Sequence, residues 1–347
     1  MLLEILPVPI GQRVRFGWIA LLAAVAMPVV AEDKGLPAPR LLVKVEAIPP
    51  TFADVPYGDQ VRQTLDLWQA RSDKPTPLVF YVHGGGWAAQ DKTDIDDHLN
   101  VRAFLDAGIS VATVNYRLLQ DANAAHVVPP VQWPLHDAKR ALQFLRSKAG
   151  EWNLDKTRTG ASGVSAGGGT SLWLALHPDM AEPDSADPIS RESTRFFCVG
   201  VKAPVVSLDP KQVRGWIPNA IFGAHAFGFA NLSRAASFEP FLAARETYLN
   251  EIRHYSPYEF AGKDAPPIFV EFPMQDKPPV PGEPQTDPNH SAISGLMLQR
   301  KLQELGVAME LQYPSAPGTK HANMQAYLTE MLTGAKSLPA TDQSPAR

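Results

Sequence analysis

From Pro77 onward, short apolar runs alternate with stretches whose apolar residues recur every three or four positions. PLVFYV (77–82) is almost continuously apolar, as a strand covered on both faces must be. ISVATVN (109–115), FFCVGVKA (196–203), PPIFVEF (266–272) and VAMELQY (307–313) read the same way, with a shorter strand at 158–163. Between them, Leu135, Ala138, Leu142 and Leu145 recur at 3, 4, 3 spacing, which is one face of a helix. Helical patterns also cover 94–107, 171–177, 291–305 and about 322–333. Before Pro77, LLVKVEA (41–47) and VRQTLDLW (61–68) read as antiparallel strands at a sheet edge. Alternation of this kind predicts an α/β fold, with a mostly parallel sheet flanked by helices. Residues 204–265 break the rhythm and are expected to form a cap region inserted over the C-terminal edge of the sheet.

Composition narrows the picture. The 347 residues are 45% hydrophobic, enough for a sizeable core, and carry a net charge of −4. Without a Lys/Arg block, the chain lacks the electrostatic footprint of a nucleic-acid binder. A single cysteine, Cys198, excludes an internal disulfide and a cysteine-rich metal cluster. The 33 prolines are roughly twice the usual ~5%. Only Pro129, Pro130 and Pro134 fall in 78–177, whereas eight fall in 266–288.

The N-terminus reads as a targeting signal. Arg13 and Arg15 precede an uncharged run from Phe16 to Ala31, followed by Glu32. The pattern predicts a signal peptide over 1–31, cut after Ala31, and a periplasmic or secreted protein. Those 16 residues, interrupted by Pro28, fall short of the ~20 of a spanning helix, so no stable membrane span is expected after cleavage. Residues 32–52 then form an N-terminal extension.

Two motifs carry chemistry. His83-Gly84-Gly85-Gly86-Trp87 directly follows the strand at 77–82, where its glycines leave backbone N–H groups free to line a cleft. The bland alternative is a tight turn. Gly163-Val164-Ser165-Ala166-Gly167 lies between a strand and a helix, the pattern of a nucleophile elbow. The N–H groups of Gly85, Gly86 and Ala166 are then the candidate oxyanion hole.

Those motifs, in that order and about 80 residues apart, resemble the α/β-hydrolase serine esterases with a His-Gly-Gly-Gly motif, of the hormone-sensitive-lipase and acetyl-esterase type. The resemblance extends over about 53–335, leaving 336–347 as a tail. VPYGDQVRQTLDLW looks like that family's first hairpin, VNYRL (114–118) like its fourth strand and DAKRALQFLR (137–146) like its second helix. It implies an eight-stranded α/β-hydrolase fold and a Ser–acid–His triad in that chain order. A serine hydroxyl needs an imidazole base oriented by a carboxylate. With Ser165 as nucleophile, the family's position for the base falls on His321, with His290 as rival. Its acid falls on Asp276, with Asp287, Glu283 and Glu271 as fallbacks, because PMQDKPPVP replaces the usual Gly-rich loop. Trp87 is expected to wall the acyl pocket, with simple packing as the alternative, and Asp137 and Arg117 to make structural hydrogen bonds.

The expected function is an exported hydrolase of carboxylic esters, on short acyl or acetyl groups of a small molecule or a carbohydrate. No metal or cofactor is called for. Amidase, formamidase or peptidase activity on the same fold is the first alternative, separated by matched ester and amide substrates. A hydrolase-like binding protein without turnover is the second, separated by a fluorophosphonate probe.

Overall fold

The computed structural model describes residues 48–229 and 234–334. The signal peptide expected at 1–31, the strand at 41–47 and the tail at 336–347 lie outside the described residues. Eight strands form one sheet: β1 (Phe52–Pro56), β2 (Thr64–Trp68), β3 (Thr76–Val82), β4 (Ser110–Val114), β5 (Leu154–Val164), β6 (Cys198–Lys202), β7 (Ile268–Glu271) and β8 (Met309–Gln312). Their order is β1-β2-β4-β3-β5-β6-β7-β8. β2 pairs antiparallel with β1 and β4, and every other pair is parallel. This is the α/β-hydrolase fold.

The helices are α1 (Val101–Asp106), α2 (Leu119–Ala124), α3 (Gln132–Ser147), α4 (Ala166–Leu176), α5 (Pro210–Trp216), α6 (Arg234–Ala243), α7 (Leu249–Tyr255), α8 (Ala292–Glu304) and α9 (Met324–Thr333). None of the described helices is long and apolar enough to cross a membrane.

The apolar run of β3 is buried on both faces because its side chains alternate between two core layers. Leu78, Phe80 and Val82 pack with Leu135, Leu142 and Leu145 of α3 and with α4. Val79 and Tyr81 pack with Phe104 of α1 and Leu328 of α9. The helix expected over 94–107 divides into a 3₁₀ segment, Lys92–Asp97, and α1. Asn100 interrupts it, accepting the Ala103 N–H at 3.0 Å as an N-cap.

β5 lies mid-sheet although RTGAS offers little apolar bulk. The missing volume comes from α9. A Cβ on Gly160 would lie 3.2 Å from both Cys198 Sγ and Leu328, and one on Gly200 in β6 would lie 2.9 Å from Leu328. The helix therefore rests almost on the strand backbones. The segment between β6 and β7 holds α5–α7 and leans on loops that leave the C-terminal ends of β3 and β7. Its His225 meets the Gly86 carbonyl at 3.1 Å, Asn219 Nδ2 donates to Gln285 O at 2.8 Å, and the Trp216 carbonyl accepts the Gly282 N–H at 2.8 Å.

Gly200→Val is expected to push α9 off the sheet and destabilise the fold by about 1–3 kcal/mol, the usual cost of overpacking, in urea unfolding.

Candidate active site

β5 ends at Val164 and α4 begins at Ala166, so Ser165 makes the whole turn. Its φ of 52° and ψ of −118° lie where a side chain is strained. Three backbone bonds hold it there. The Ser165 N–H donates to Lys202 O at 2.9 Å, and its carbonyl accepts from Gly169 at 2.9 Å and Val205 at 3.2 Å. The flanking glycines are a steric necessity. A Cβ on Gly167 would lie 2.1 Å from the Val82 carbonyl oxygen, and one on Gly163 would lie 2.7 Å from the same atom.

Beside the elbow, Gly85, Gly86 and Trp87 run through a 3₁₀ turn at φ 78°, 64° and 58°. At the start of such a turn, and at Ala166 opening α4, backbone N–H groups have no acceptor within the helix. They are the donors available to an anion. Trp87 does not present a wall. It is 2% exposed, and its indole N–H donates to Thr170 Oγ1 of α4 at 2.9 Å, so it wedges the glycine loop against the nucleophile helix. Its expected pocket role is corrected accordingly.

The structure brings His290 to the nucleophile. Ser165 Oγ lies 3.0 Å from His290 Nε2, and His290 Nδ1 lies 2.7 Å from Asp287 Oδ2. A carboxylate only accepts, so Nδ1 carries the proton and Nε2 is left to accept from the hydroxyl. Asp287-Pro288-Asn289-His290 is itself a turn, closed by the Asn289 N–H on Asp287 Oδ1 at 3.0 Å. Partial burial pushes the Asp287 carboxyl upward. The hydrogen bond and charge of His290, with the backbone N–H groups of Asn289 and His290, outweigh it and hold the group below its ordinary value. The surrounding Pro-rich loop is pinned by two buried amides: Gln275 Nε2 meets Gln285 Oε1 at 2.9 Å, and Gln275 Oε1 accepts the Ala292 N–H at 2.8 Å.

His321 and Asp276, expected as base and acid, are not brought to Ser165. His321 is 2% exposed and held between two carboxylates, with Nδ1 2.7 Å from Glu310 and Nε2 3.2 Å from Glu330. Nδ1 is hydrogen-bonded to Glu310 of β8, Nε2 faces Glu330 of α9 without a hydrogen bond, and the buried ring lies under the loop between the two elements. Asp276 is exposed and makes no hydrogen bond or ion pair with another described residue. Of the fallbacks, Glu271 accepts the Met324 N–H at 2.9 Å and faces Lys202 at 3.3 Å, and Glu283 is exposed. The Asp–x–x–His spacing across a proline turn was the local signal for the pair that does meet the serine. Arg117 and Asp137 form the expected structural pair, a two-pronged contact at 2.6 and 2.9 Å. Among the described residues, no group of three or more His, Cys, Asp and Glu side chains is arranged to hold a metal ion.

Comparison with known proteins agrees with this architecture. A model of the BD-FAE family matches residues 65–283. The probable carboxylic ester hydrolase LipM of Mycobacterium tuberculosis is 26% identical over 241 residues, which is 67% of this chain and 50% of that protein. The kynurenine formamidase avaC of Aspergillus versicolor is 30% identical over 158 residues, 41% of this chain and 53% of that protein. The chain spans about half the length, or less, of the curated relatives it matches. Two solved structures share the fold. An acetyl ester-xyloside bifunctional hydrolase from Caldicellulosiruptor lactoaceticus gives a TM-score of 0.55 at 22% identity, covering 82% of this chain and 91% of that one. A truncated carbohydrate esterase from gut microbiota gives 0.58 at 18%, covering 81% and 96%.

The histidine opening the glycine loop has a measurable signature. His83 is fully buried and stacked on Tyr116 at 4.2 Å, and burial, aided by the charge of Arg62, lowers its pKa to about 4. Below the unfolded value of ~6.5 the unfolded chain binds a proton that the folded chain refuses until about pH 4. The fold therefore loses stability as pH falls through that window, by on the order of 3 kcal/mol. Urea unfolding at successive pH values is expected to give a shallower dependence for His83→Gln.

Proposed function

The chain belongs to the BD-FAE family, and from that premise we propose that it is an exported serine hydrolase of carboxylic esters. The observation that carries this reading is the unbroken chain of contacts Ser165 Oγ–His290 Nε2, 3.0 Å, and His290 Nδ1–Asp287 Oδ2, 2.7 Å.

In the proposed reaction, Ser165 Oγ attacks the acyl carbonyl carbon while His290 Nε2 takes its proton. Asp287 accepts from Nδ1–H throughout, which fixes the tautomer and stabilises the imidazolium. The carbonyl π pair moves onto oxygen, where the N–H groups of Gly85, Gly86 and Ala166 receive it. The C–O bond to the alcohol then breaks, and His290 returns its proton to the departing oxygen. Water, deprotonated by the same imidazole, releases the acid from the acyl-enzyme. The positive end of α4 lies at the nucleophile and favours the developing negative charge.

Esterase relatives support ester cleavage. The acetyl ester-xyloside hydrolase and the carbohydrate esterase that share the fold support short acyl groups, including acetyl groups on carbohydrate, as the substrate class to test. The formamidase relative supports amide cleavage as a second reading. Matched p-nitrophenyl esters and anilides of two to eight carbons, with acetylated xylosides, separate the two.

Ser165→Ala and His290→Gln are each expected to lower kcat on p-nitrophenyl acetate by on the order of 10⁴-fold or more, and Asp287→Asn by about 10²–10⁴-fold. Asp276→Asn is expected to change little. His321→Gln is expected to lower the unfolding midpoint while the folded fraction keeps its turnover. Loss of turnover in His321→Gln alongside full activity in His290→Gln would reverse the assignment. For export, N-terminal sequencing of the mature protein recovered outside the cytoplasm is expected to begin at Glu32.

A further inference from the structure

The carbonyls of His83, Gly84, Gly85 and Gly86 are each held by a named partner. The Tyr116 hydroxyl, from the end of β4, lies 3.0 Å from His83 O and 2.8 Å from Gly84 O. The Ala88 N–H donates to Gly85 O at 3.1 Å. The Gly86 carbonyl is met by His225 Nε2 at 3.1 Å. A carbonyl only accepts, so Nε2 carries a proton there. The first two partners belong to the sheet frame and to the turn itself. The last comes from the segment between β6 and β7. We infer that His225 is a positioning residue for the oxyanion hole, anchoring the Gly86 carbonyl and with it the left-handed turn that carries the Gly85 and Gly86 N–H groups.

The physical reason is the planarity of the peptide unit. Gly86 sits at φ 64°, ψ 25°, and Trp87 follows at φ 58°, a left-handed conformation that a bulky side chain disfavours. Rotation of the Gly86–Trp87 peptide would relieve Trp87, and Gly86 offers no Cβ to resist it. That rotation carries the Gly86 oxygen to the side the Trp87 N–H now faces and breaks its contact with His225. A glycine loop released at Gly86 no longer keeps the Gly85 and Gly86 N–H groups fixed where the oxyanion forms. His225 opposes the rotation directly, and its ring is itself fixed edge-on to Phe222 at 4.7 Å and beside Trp87 at 6.3 Å.

The inference rests on the ester-hydrolase reading, and its test is built to fail separately. His225→Phe keeps the ring and loses the donor. His225→Gln restores an N–H donor at similar reach. On p-nitrophenyl acetate, His225→Phe is expected to lose about tenfold or more in kcat with KM within about twofold, because a neutral ester gains little from the hole before the oxyanion forms. An alkyl trifluoromethyl ketone, which forms an oxyanion on Ser165, is expected to bind His225→Phe more weakly by a factor that tracks kcat. His225→Gln is expected to recover most of both. Unchanged kcat in His225→Phe overturns the inference alone. So does a loss that Gln fails to restore although it has the wild-type unfolding midpoint, or a loss carried by KM. A wild-type protein inactive on every ester overturns the ester-hydrolase reading and this inference together.

Discussion

Three backbone segments meet at the elbow with no room for a side chain between them, and the rest of the site depends on that approach. Gly163 at the end of β5, Gly167 in the first turn of α4 and the Val82 carbonyl at the end of β3 are so close that a Cβ on either glycine would lie within 2.7 Å of the Val82 oxygen. Because α4 starts so near the sheet, Ser165 is forced into its left-handed turn and raised above the strand ends. The strain is sustained by neighbours on both sides: Lys202 of β6 takes the Ser165 N–H, and Gly169 and Val205 hold its carbonyl. The nucleophile is thus positioned by sheet architecture and not by its own preferences.

What surrounds the elbow is a set of loops, each tied down by different means. The glycine loop is held from below by Tyr116 and sideways by the Trp87–Thr170 bond to α4. The loop carrying Asp287 and His290 is stiffened by its prolines and by the buried amides of Gln275 and Gln285. The segment between β6 and β7 braces both, through His225 on the first and Asn219 and Trp216 on the second. A change in that segment would therefore reach the chemistry through backbone geometry as well as through any contact with substrate.

The chain holds two histidine–carboxylate pairs in late loops, and they do different work. His290 with Asp287 keeps one ring nitrogen directed at Ser165, and the pair is partly open to solvent, with the imidazole 34% and the carboxylate 50% exposed. His321 bonds Glu310 through Nδ1 and faces Glu330 with Nε2, in a pocket closed by Phe269 and Tyr327. The same chemical types make a candidate catalytic pair in one place and a buried clasp in the other. Only the third partner distinguishes them.

The amino-acid sequence alone determined the features set by short-range physics. Apolar periodicity placed the strands and helices, down to the two-faced burial of PLVFYV, because the core must close over them. The two glycine motifs placed the elbow and its neighbouring N–H donors, because only glycine fits a left-handed turn or a contact of backbone on backbone. Tertiary structure decided what local pattern leaves open. Which of two late histidines meets Ser165 depends on how a loop 125 residues downstream crosses the sheet edge. The Asp–x–x–His spacing marks a histidine–carboxylate pair, but the path that carries it to the serine is set by tertiary packing. Trp87 looked like a pocket wall because its burial is set by Thr170, 83 residues away. The small, polar β5 carries little apolar bulk of its own, and what fills its surroundings is supplied by α9, far along the chain.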